Sequence, residues 1–186
     1  CNSSGGQPVS MENIQGVSAL CKTYGVPLFF DSARYAENAY FIKVREKGYQ
    51  DKSIREIIWQ MFSYADGMTM SSKKDGIVNI GGFVAFRDEA LWRKCSTFNI
   101  MFEGFNTYGG MAGRDMGALS VGLQESAEFD YLEARIGQVA LLGQKLTDHG
   151  IVVQRPYGGH AIFIDAKKFL PRVPKEEFQA QTLGIE

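Results

Sequence analysis

The stretch MSSKKDGIVNIGG, residues 70–82, places two adjacent lysines between apolar segments. Lys73 and Lys74 lie in a polar turn, and the residues on either side predict strands over 67–70 and 77–86. If its surroundings disfavour the ammonium, a lysine held between strands becomes a neutral amine that can form a Schiff base with a carbonyl. Taken alone, a lysine pair on a loop is typical of solvated charge.

A second candidate group comes from the preceding strand. Residues 26–31, VPLFFD, predict a buried strand that ends in the carboxylate of Asp31. Asp31 and Ser71 both follow predicted strands, at the ends where α/β sheets bind ligands. Asp31 and Lys74 together suggest pyridoxal phosphate, because this cofactor needs an amine for its aldehyde and a carboxylate to keep its ring nitrogen protonated. Alone, Asp31 could instead cap a helix, and Ser71 could be a turn residue.

The first half of the chain predicts an α/β fold with a mostly parallel sheet. Helices are expected after Ser10, over 34–46, after Ser53 with Glu56 as a capping box, and after Asp88. The first helix is expected to bury an apolar face made of Ile14, Val17, Leu20, Cys21 and Tyr24. The order helix, strand, helix, helix, strand, strand is typical of α/β proteins.

The second half has a different composition. Residues 104–113, GFNTYGGMAG, favour a loop, and residues 130–149 predict a long amphipathic helix. Short strands at 151–154 and 160–165 and a helix from Pro174 are expected to follow. We expect a domain change near Ala127, so that residues 1–127 form part of a large domain. Residues 128–186 would be the connecting helix and the start of a smaller α/β domain.

Composition argues against several classes of protein. The 186 residues are 45% hydrophobic and 22% charged, with 20 basic and 21 acidic side chains and a net charge of −1. This balance offers no basic surface for nucleic acid, and the apolar stretches are far shorter than the ~20 residues that cross a bilayer. Three cysteines without CxxC spacing predict reduced thiols in a cytoplasmic protein. Two histidines and unclustered cysteines argue against a zinc site.

Five segments of the chain resemble the aromatic amino-acid β-eliminating lyases. They are NSSGGQPVSMEN (2–13), FFDSARYAENAYFIK (29–43), MFSYADGMTMSSKKDGIVNIGG (61–82), EGFNTYGG (103–110) and GGHAIFIDA (158–166). The resemblance runs the length of the chain. It implies a pyridoxal phosphate-dependent transferase fold of the aspartate aminotransferase type, and it implies that the chain is a central fragment of a longer enzyme.

By position, the resemblance assigns residues to the cofactor. The expected contacts are Asn2 and Arg34 at the phenolic oxygen, Asp31 at the ring nitrogen, Ser71 at the phosphate and Lys74, the Schiff-base lysine, at the aldehyde. Lys73 would be a neighbouring charge that tunes Lys74 or a group on the substrate side. Arg34 could otherwise be surface charge.

The resemblance also implies a cation site and an assembly. The backbone carbonyl of Asn79 would bind the monovalent cation, potassium or ammonium, that activates these enzymes. The EGFNTYGG loop, with Phe105, would line the active site of a neighbouring subunit in a homotetramer, although proline is usual where Asn106 stands. His160 would lie near the substrate side, with a structural role in its glycine-rich turn as the alternative.

The implied reaction is a β-elimination from an aromatic amino acid. The strings VNIGG (78–82) and AGRDM (112–116) resemble the branch that splits L-tyrosine into phenol, pyruvate and ammonia. The alternative is the tryptophanase branch, which releases indole from L-tryptophan and tends to carry proline in place of Asn79. An alternative of another class is a non-catalytic α/β module that binds a partner. No nucleic-acid or membrane partner is expected.

Overall fold

The computed structural model describes residues 4–185. Its elements alternate between helices and strands in the first half of the chain and are helical in most of the second. In chain order they are a 3-10 helix at Ser4–Gly6, α1 (Met11–Thr23), β1 (Phe29–Asp31), α2 (Tyr35–Arg45), α3 (Ile54–Ser63), β2 (Gly67–Ser71), β3 (Gly82–Phe86), α4 (Glu89–Phe102), α5 (Gly113–Glu125), α6 (Phe129–Asp148), α7 (Ala166–Phe169), a 3-10 helix at Lys175–Glu177 and α8 (Gln179–Ile185).

These elements form two compact units. One unit spans Val9–Leu132 and contains all three of the described strands. The other combines residues 4–8 with residues 133–185. The long helix α6 crosses from the first unit into the second. The domain change expected near Ala127 stays a prediction.

The three strands form one mixed sheet in the order β1-β2-β3. β1 pairs with β2 in parallel, with Phe29 opposite Gly67 and Asp31 opposite Thr69. β3 pairs with β2 in the antiparallel direction, and Gly82 lies opposite Ser71. The predicted α/β class is therefore confirmed. Because parallel strands end at the same edge of a sheet, Asp31 and Ser71 reach the same edge.

Side-chain caps fix the starts of α1, α3 and α4 as the sequence predicted. Ser10 accepts a hydrogen bond from the Asn13 amide at the start of α1. Ser53 and Glu56 form the expected reciprocal capping box at the start of α3. Asp88 accepts hydrogen bonds from two amides in the first turn of α4. Such caps satisfy amides that have no partner within the helix, which is why the starts were predictable.

The predicted buried face of α1 is wrong in part. Leu20 is 59% exposed and Tyr24 is 74% exposed, whereas Met11, Ile14 and Ser18 are the buried residues of this helix. The positions 11, 14 and 18 follow the helical period, so one face does pack inward. A serine occupies the last of these positions, where its hydroxyl donates a hydrogen bond to the Tyr64 carbonyl at 3.0 Å.

Two strands are shorter than the sequence predicted. The strand expected over 26–31 is confined to Phe29–Asp31, and both of its end residues are exposed. The strand expected over 77–86 starts only at Gly82. The backbone turns before it, since Ile77 has φ 54° and Gly81 has φ 92°. These positive φ values lie outside the β region, so the extended ladder cannot begin earlier.

The second half departs further from the prediction. Helix α5, over residues 113–125, was not predicted, because glycines at 113, 117 and 122 weaken its helical signal. The two strands expected at 151–154 and 160–165 reduce to one antiparallel bridge between Val153 and Ile164. The predicted long helix is confirmed as α6, and Gly150 follows it with φ 79°, as expected of a glycine just beyond a helix end.

Helix α2 lies at the centre of the Val9–Leu132 unit and packs against α3. Most of its residues are buried, and they are Tyr35, Ala36, Glu37, Asn38, Ala39, Phe41 and Ile42. Ile54, Ile57 and Met61 supply the facing side of α3. Within residues 4–185, no helix combines the length and the apolar character needed to cross a membrane.

Candidate active site

A cavity of about 1100 Å³ opens at the edge of the sheet where β1 and β2 end. Three residues that the sequence singled out line it, namely Asp31, Ser71 and Lys73. The opposite wall is made by α4, the loop after it and the start of α5. The polar side chains on that wall include Ser96, Asn99, Glu103, Asn106, Arg114 and Asp115. The cavity therefore holds charged groups of both signs.

The backbone pairing of β1 with β2 continues past Asp31. The Ser32 amide donates a hydrogen bond to the Thr69 carbonyl at 2.8 Å. Asp31 is exposed, and its carboxylate accepts a long hydrogen bond of 3.5 Å from the Ala33 amide. Strand pairing thus fixes the backbone of Asp31, and its carboxylate is accessible to a ligand in the cavity.

The two lysines lie in a turn that we call the lysine turn, residues 72–76. Their side chains are exposed, but Ser72 and Asp75 on either side of them are 0% and 2% exposed. Lys73 lines the cavity. Lys74 does not belong to the described lining of the cavity, although the sequence favoured it as the cofactor lysine. The structure thus brings one lysine of the pair to Asp31 and Ser71.

Asp75 joins the lysine turn to the start of α2. Its carboxylate accepts hydrogen bonds from the amides of Ala36 at 2.8 Å and Glu37 at 2.9 Å. Its own amide donates to the Ala33 carbonyl at 3.1 Å. A carboxylate is favourable at a helix N-terminus, where the amides and the helix dipole are both positive. Sequence reasoning missed Asp75, because a cap that comes from a distant loop has no local signature.

The other side of the lysine turn lies against α5. A Cβ atom built on Gly122 would lie well inside 3.0 Å of the Gly76 carbonyl oxygen, so only glycine allows this approach. At the start of the turn, the Ser72 amide donates to the Gly81 carbonyl at 3.1 Å. The Ile77 amide closes the turn by donating to the Lys74 carbonyl at 3.2 Å. The backbone of the lysine turn is therefore fixed on both sides.

Arg34 precedes the helix that Asp75 caps. Its Nη1 lies 3.8 Å from Oε2 of Glu37, a distance at which the two charges still attract each other. The Glu37 side chain is fully buried and that of Arg34 is mostly buried. The buried Glu37 carboxylate thus orients the Arg34 side chain. A residue that binds a ligand needs such a fixed orientation, whereas a free surface charge has none.

Tyr35 links the start of α2 to the end of α5. Its hydroxyl lies 2.8 Å from the Ser126 hydroxyl and 3.1 Å from the Leu123 carbonyl. Burial raises the pKa of the Tyr35 phenol above its ordinary value. The two helices on either side of the lysine turn are therefore connected by a neutral, hydrogen-bonded phenol.

The remaining predicted residues are not among the described lining residues of the cavity. Asn79 is exposed, and Phe105 is exposed with its ring edge against that of Tyr108 at 5.7 Å between centroids. His160 belongs to the other unit, where a Cβ atom on Gly6 would lie 3.0 Å from its ring. Asn2 lies outside the described residues. In the part of the chain that the structure describes, His, Cys, Asp and Glu form no group of three or more that could hold a metal ion.

The chain belongs to the beta-eliminating lyase family, whose sequence profile matches residues 1–183. It is 60% identical over 185 residues to a "Probable beta-eliminating lyase" of Trichomonas vaginalis, 55% identical over 184 residues to a tryptophanase of Salinibacter ruber and 53% identical over 183 residues to a tyrosine phenol-lyase of Fusobacterium nucleatum. These matches cover 98–100% of this chain. The chain spans about 40% of the length of the curated relatives it matches.

Two solved structures share the fold at 16% sequence identity. One, from Exiguobacterium, is assigned as an aromatic amino acid beta-eliminating lyase/threonine aldolase. It has a TM-score of 0.61, and the match covers 84% of this chain and 39% of that one. The other, from Listeria monocytogenes, is assigned as an L-allo-threonine aldolase. It has a TM-score of 0.55, with 96% and 56% covered. These likenesses confirm the predicted fold of the pyridoxal phosphate-dependent transferases.

Proposed function

We propose that the protein is a pyridoxal phosphate-dependent lyase that eliminates phenol from L-tyrosine and leaves pyruvate and ammonia. The observation that carries this proposal is the shared cavity of Asp31, Ser71 and Lys73 in a chain of the beta-eliminating lyase family. A carboxylate, a hydroxyl and an amine at the ends of parallel strands are the groups that such a cofactor needs.

The chemistry of this donor set supports pyridoxal phosphate. When bound, the cofactor supplies an aldehyde for the substrate amine and a cationic ring that withdraws electrons from the α-carbon. Asp31 would hold a proton on the ring nitrogen, and the Ser71 hydroxyl would bind the phosphate. Arg34 and Asn2 would donate hydrogen bonds to the phenolic oxygen of the cofactor.

In this proposal Lys74 would hold the aldehyde and, as a free amine, would be the base for the α-proton of the substrate. Lys73, which lines the cavity, keeps the local charge positive. Borohydride reduction of the loaded protein, followed by peptide mapping, distinguishes the two lysines. A label on Lys73 would contradict the assignment of Lys74.

The preference for L-tyrosine has its support in VNIGG and AGRDM. Overall identity does not separate the two substrates, since the chain is 55% identical to a tryptophanase and 53% identical to a tyrosine phenol-lyase. A site built to bind a substrate hydroxyl should reject the analogue that lacks it by roughly 10⁴-fold or more. We therefore expect the complete protein to release pyruvate much faster from L-tyrosine than from L-tryptophan.

The pyruvate assay has two contrary outcomes with different meanings. Faster release from L-tryptophan would make the protein a tryptophanase and would show that VNIGG and AGRDM do not report specificity. A folded, colourless protein that releases pyruvate from neither substrate would favour the non-catalytic module.

The same assay tests the cation that we propose for the backbone carbonyl of Asn79. Rates in potassium or ammonium buffer should exceed those in lithium buffer, and equal rates would contradict the proposed cation site.

We also propose a cytoplasmic homotetramer in which the loop around Phe105 lines the site of a neighbouring subunit. Light scattering of the complete protein and fractionation of cells measure these two properties.

A further inference from the structure

We infer that Asp75 is a positioning residue, which determines which lysine of the lysine turn meets the cofactor. The inference deepens the proposed function and rests on it for the identity of the cofactor. Asp75 lies next to Lys74 in the chain, but its side chain points away from solvent and binds α2. It therefore connects the turn that carries the lysines to the helix that follows Arg34.

Asp75 contacts the start of α2 and the residues before it in a defined geometry. One carboxylate oxygen of Asp75 accepts two amide hydrogen bonds, from Ala36 at 2.8 Å and from Glu37 at 2.9 Å. The Asp75 amide returns a hydrogen bond to the Ala33 carbonyl at 3.1 Å. Three contacts in different directions fix both the position and the orientation of this residue. Since Lys74 is bonded directly to it, the direction of the lysine backbone is fixed as well.

Burial changes from residue to residue along the lysine turn. Ser72 and Asp75 are buried, while Lys73 and Lys74 between them are exposed. A turn that served only to display charge would not need buried residues at both ends. Burial at both ends fixes the backbone of the turn, so that each lysine side chain leaves it in a set direction, and Lys73 is among the residues that line the cavity.

A contact that does not involve Asp75 holds the other side of the lysine turn. Gly76 lies against Gly122 of α5, at a distance that excludes any larger side chain at 122. The lysine turn is therefore confined between α2 and α5. Without the Asp75 contact, α5 still limits the turn on one side, but the side facing α2 becomes free to rotate. We expect the two lysines then to exchange access to the cavity.

The test compares Asp75→Ala with a conservative and a remote variant in the complete protein. Asp75→Asn keeps an oxygen that can accept both amide hydrogen bonds. Ser53→Ala removes the cap of α3, a helix outside the described lining of the cavity, and controls for general loss of stability. If Asp75→Ala does not fold, Asp75→Ser takes its place, because its shorter side chain also withdraws the acceptor.

Two reagents measure the access of each lysine. Pyridoxal phosphate followed by borohydride reports which lysine meets the cofactor, and brief treatment with acetic anhydride reports the relative exposure of the two amines without any cofactor. Peptide mapping gives the ratio of label on Lys73 to label on Lys74. Amide exchange at Ala36 and Glu37 shows whether the helix cap has been lost.

In the wild-type protein, we expect the cofactor label on Lys74, the lysine that the proposed function assigns to the aldehyde. In Asp75→Ala, the label should move toward an even mixture, the acetylation ratio should change with it, and exchange at Ala36 and Glu37 should become faster. Asp75→Asn should restore the wild-type pattern, and Ser53→Ala should keep it.

Two outcomes would overturn the inference. In one, a folded Asp75→Ala protein loses protection at Ala36 and Glu37 but keeps the wild-type ratio with both reagents, so that Asp75 only caps α2. In the other, Ser53→Ala changes the ratio as much as Asp75→Ala does. A wild-type protein that takes up no cofactor, but whose acetylation ratio still responds to Asp75→Ala, would refute the proposed function and leave the role of Asp75 standing.

Discussion

The lysine turn and helix α4 border the same cavity, but they are held in different ways. In the lysine turn, Ser72, Asp75 and Gly76 are all buried. In α4, none of the described side chains is buried, and Phe102 at its end is 81% exposed. The cap from Asp88 and the hydrogen bonds of the helix itself hold α4. The groups with candidate chemistry thus lie on the wall that is fixed from both sides.

Stability and the geometry of the site are therefore coupled in the lysine turn and not in α4. A substitution that disturbs the buried ends of the lysine turn should change both the free energy of unfolding and the access of the lysines. A substitution on the exposed face of α4 should change neither by much. Three variants test this comparison in order of decreasing effect.

The largest effect is expected from Gly122→Ala. The new Cβ atom would overlap the Gly76 carbonyl oxygen, so α5 or the lysine turn must move. Overpacking of this kind costs about 1–3 kcal/mol in the free energy of unfolding, measured by urea denaturation. Gly117→Ala is the matched control on the same helix, because a Cβ there would meet no heavy atom of the described chain within 4 Å beyond its own helix backbone.

The control should change stability in the opposite direction. Replacing glycine by alanine in a helix interior is favourable by about 0.5–1 kcal/mol when space allows. If Gly122→Ala were as stable as Gly117→Ala, the lysine turn would not be confined by α5. The turn would then be fixed by its contacts with α2 and Gly81.

An intermediate effect is expected from Tyr35→Phe. The change removes the hydroxyl that contacts Ser126 and Leu123, at a cost of about 1 kcal/mol at neutral pH. Because the pKa of Tyr35 is raised in the folded state, the unfolded phenol ionises first, and the wild-type protein loses stability as the pH rises above about 10. The difference between wild type and variant should therefore shrink at alkaline pH.

Tyr24→Phe provides the control for this measurement, since Tyr24 is exposed at the end of α1. Urea denaturation at neutral and alkaline pH should give the same result for this variant and the wild type. A constant difference between Tyr35→Phe and wild type across the pH range would show that the Tyr35 phenol is not held neutral by the fold.

The smallest effect is expected from Phe102→Ala on α4. An exposed side chain away from buried contacts usually changes the free energy of unfolding by less than about 0.5 kcal/mol. A loss comparable to that of Gly122→Ala, measured in the complete protein, would mean that α4 has a packing partner outside the described residues. The two walls of the cavity would then be equally fixed.

The sequence predicted what depends on neighbouring residues. Ser10, Ser53 and Asp88 each cap the helix that directly follows them, so their roles can be read from a few positions. The parallel order of β1 and β2 also brought Asp31 and Ser71 to one edge, as predicted from the rule for strand ends. The burial of α1 and the length of β3 depend on distant contacts and were predicted less well.

The site shows the same division. Asp75 binds amides that are 38 and 39 residues away in the chain, and nothing in SSKKD indicates this partner. The approach of Gly122 to Gly76 was missed for the same reason. In a sequence, a glycine inside a helix indicates a less stable helix and does not show which distant residue packs against it. Which lysine lines the cavity depends on these contacts, so the sequence could identify the pair but not its orientation.

The burial pattern of the lysine turn also has a consequence for proteolysis. Trypsin cleaves after lysine, and both Lys73 and Lys74 are exposed. A protease must nevertheless draw several residues of extended backbone into its cleft, which requires local unfolding when that backbone is bound on both sides. Release of the turn would expose Ser72 and Asp75 and break their contacts with Gly81, Ala33 and α2. We therefore expect small reagents to reach the amines of Lys73 and Lys74 in the folded protein, and trypsin to cleave after them only when the turn unfolds locally.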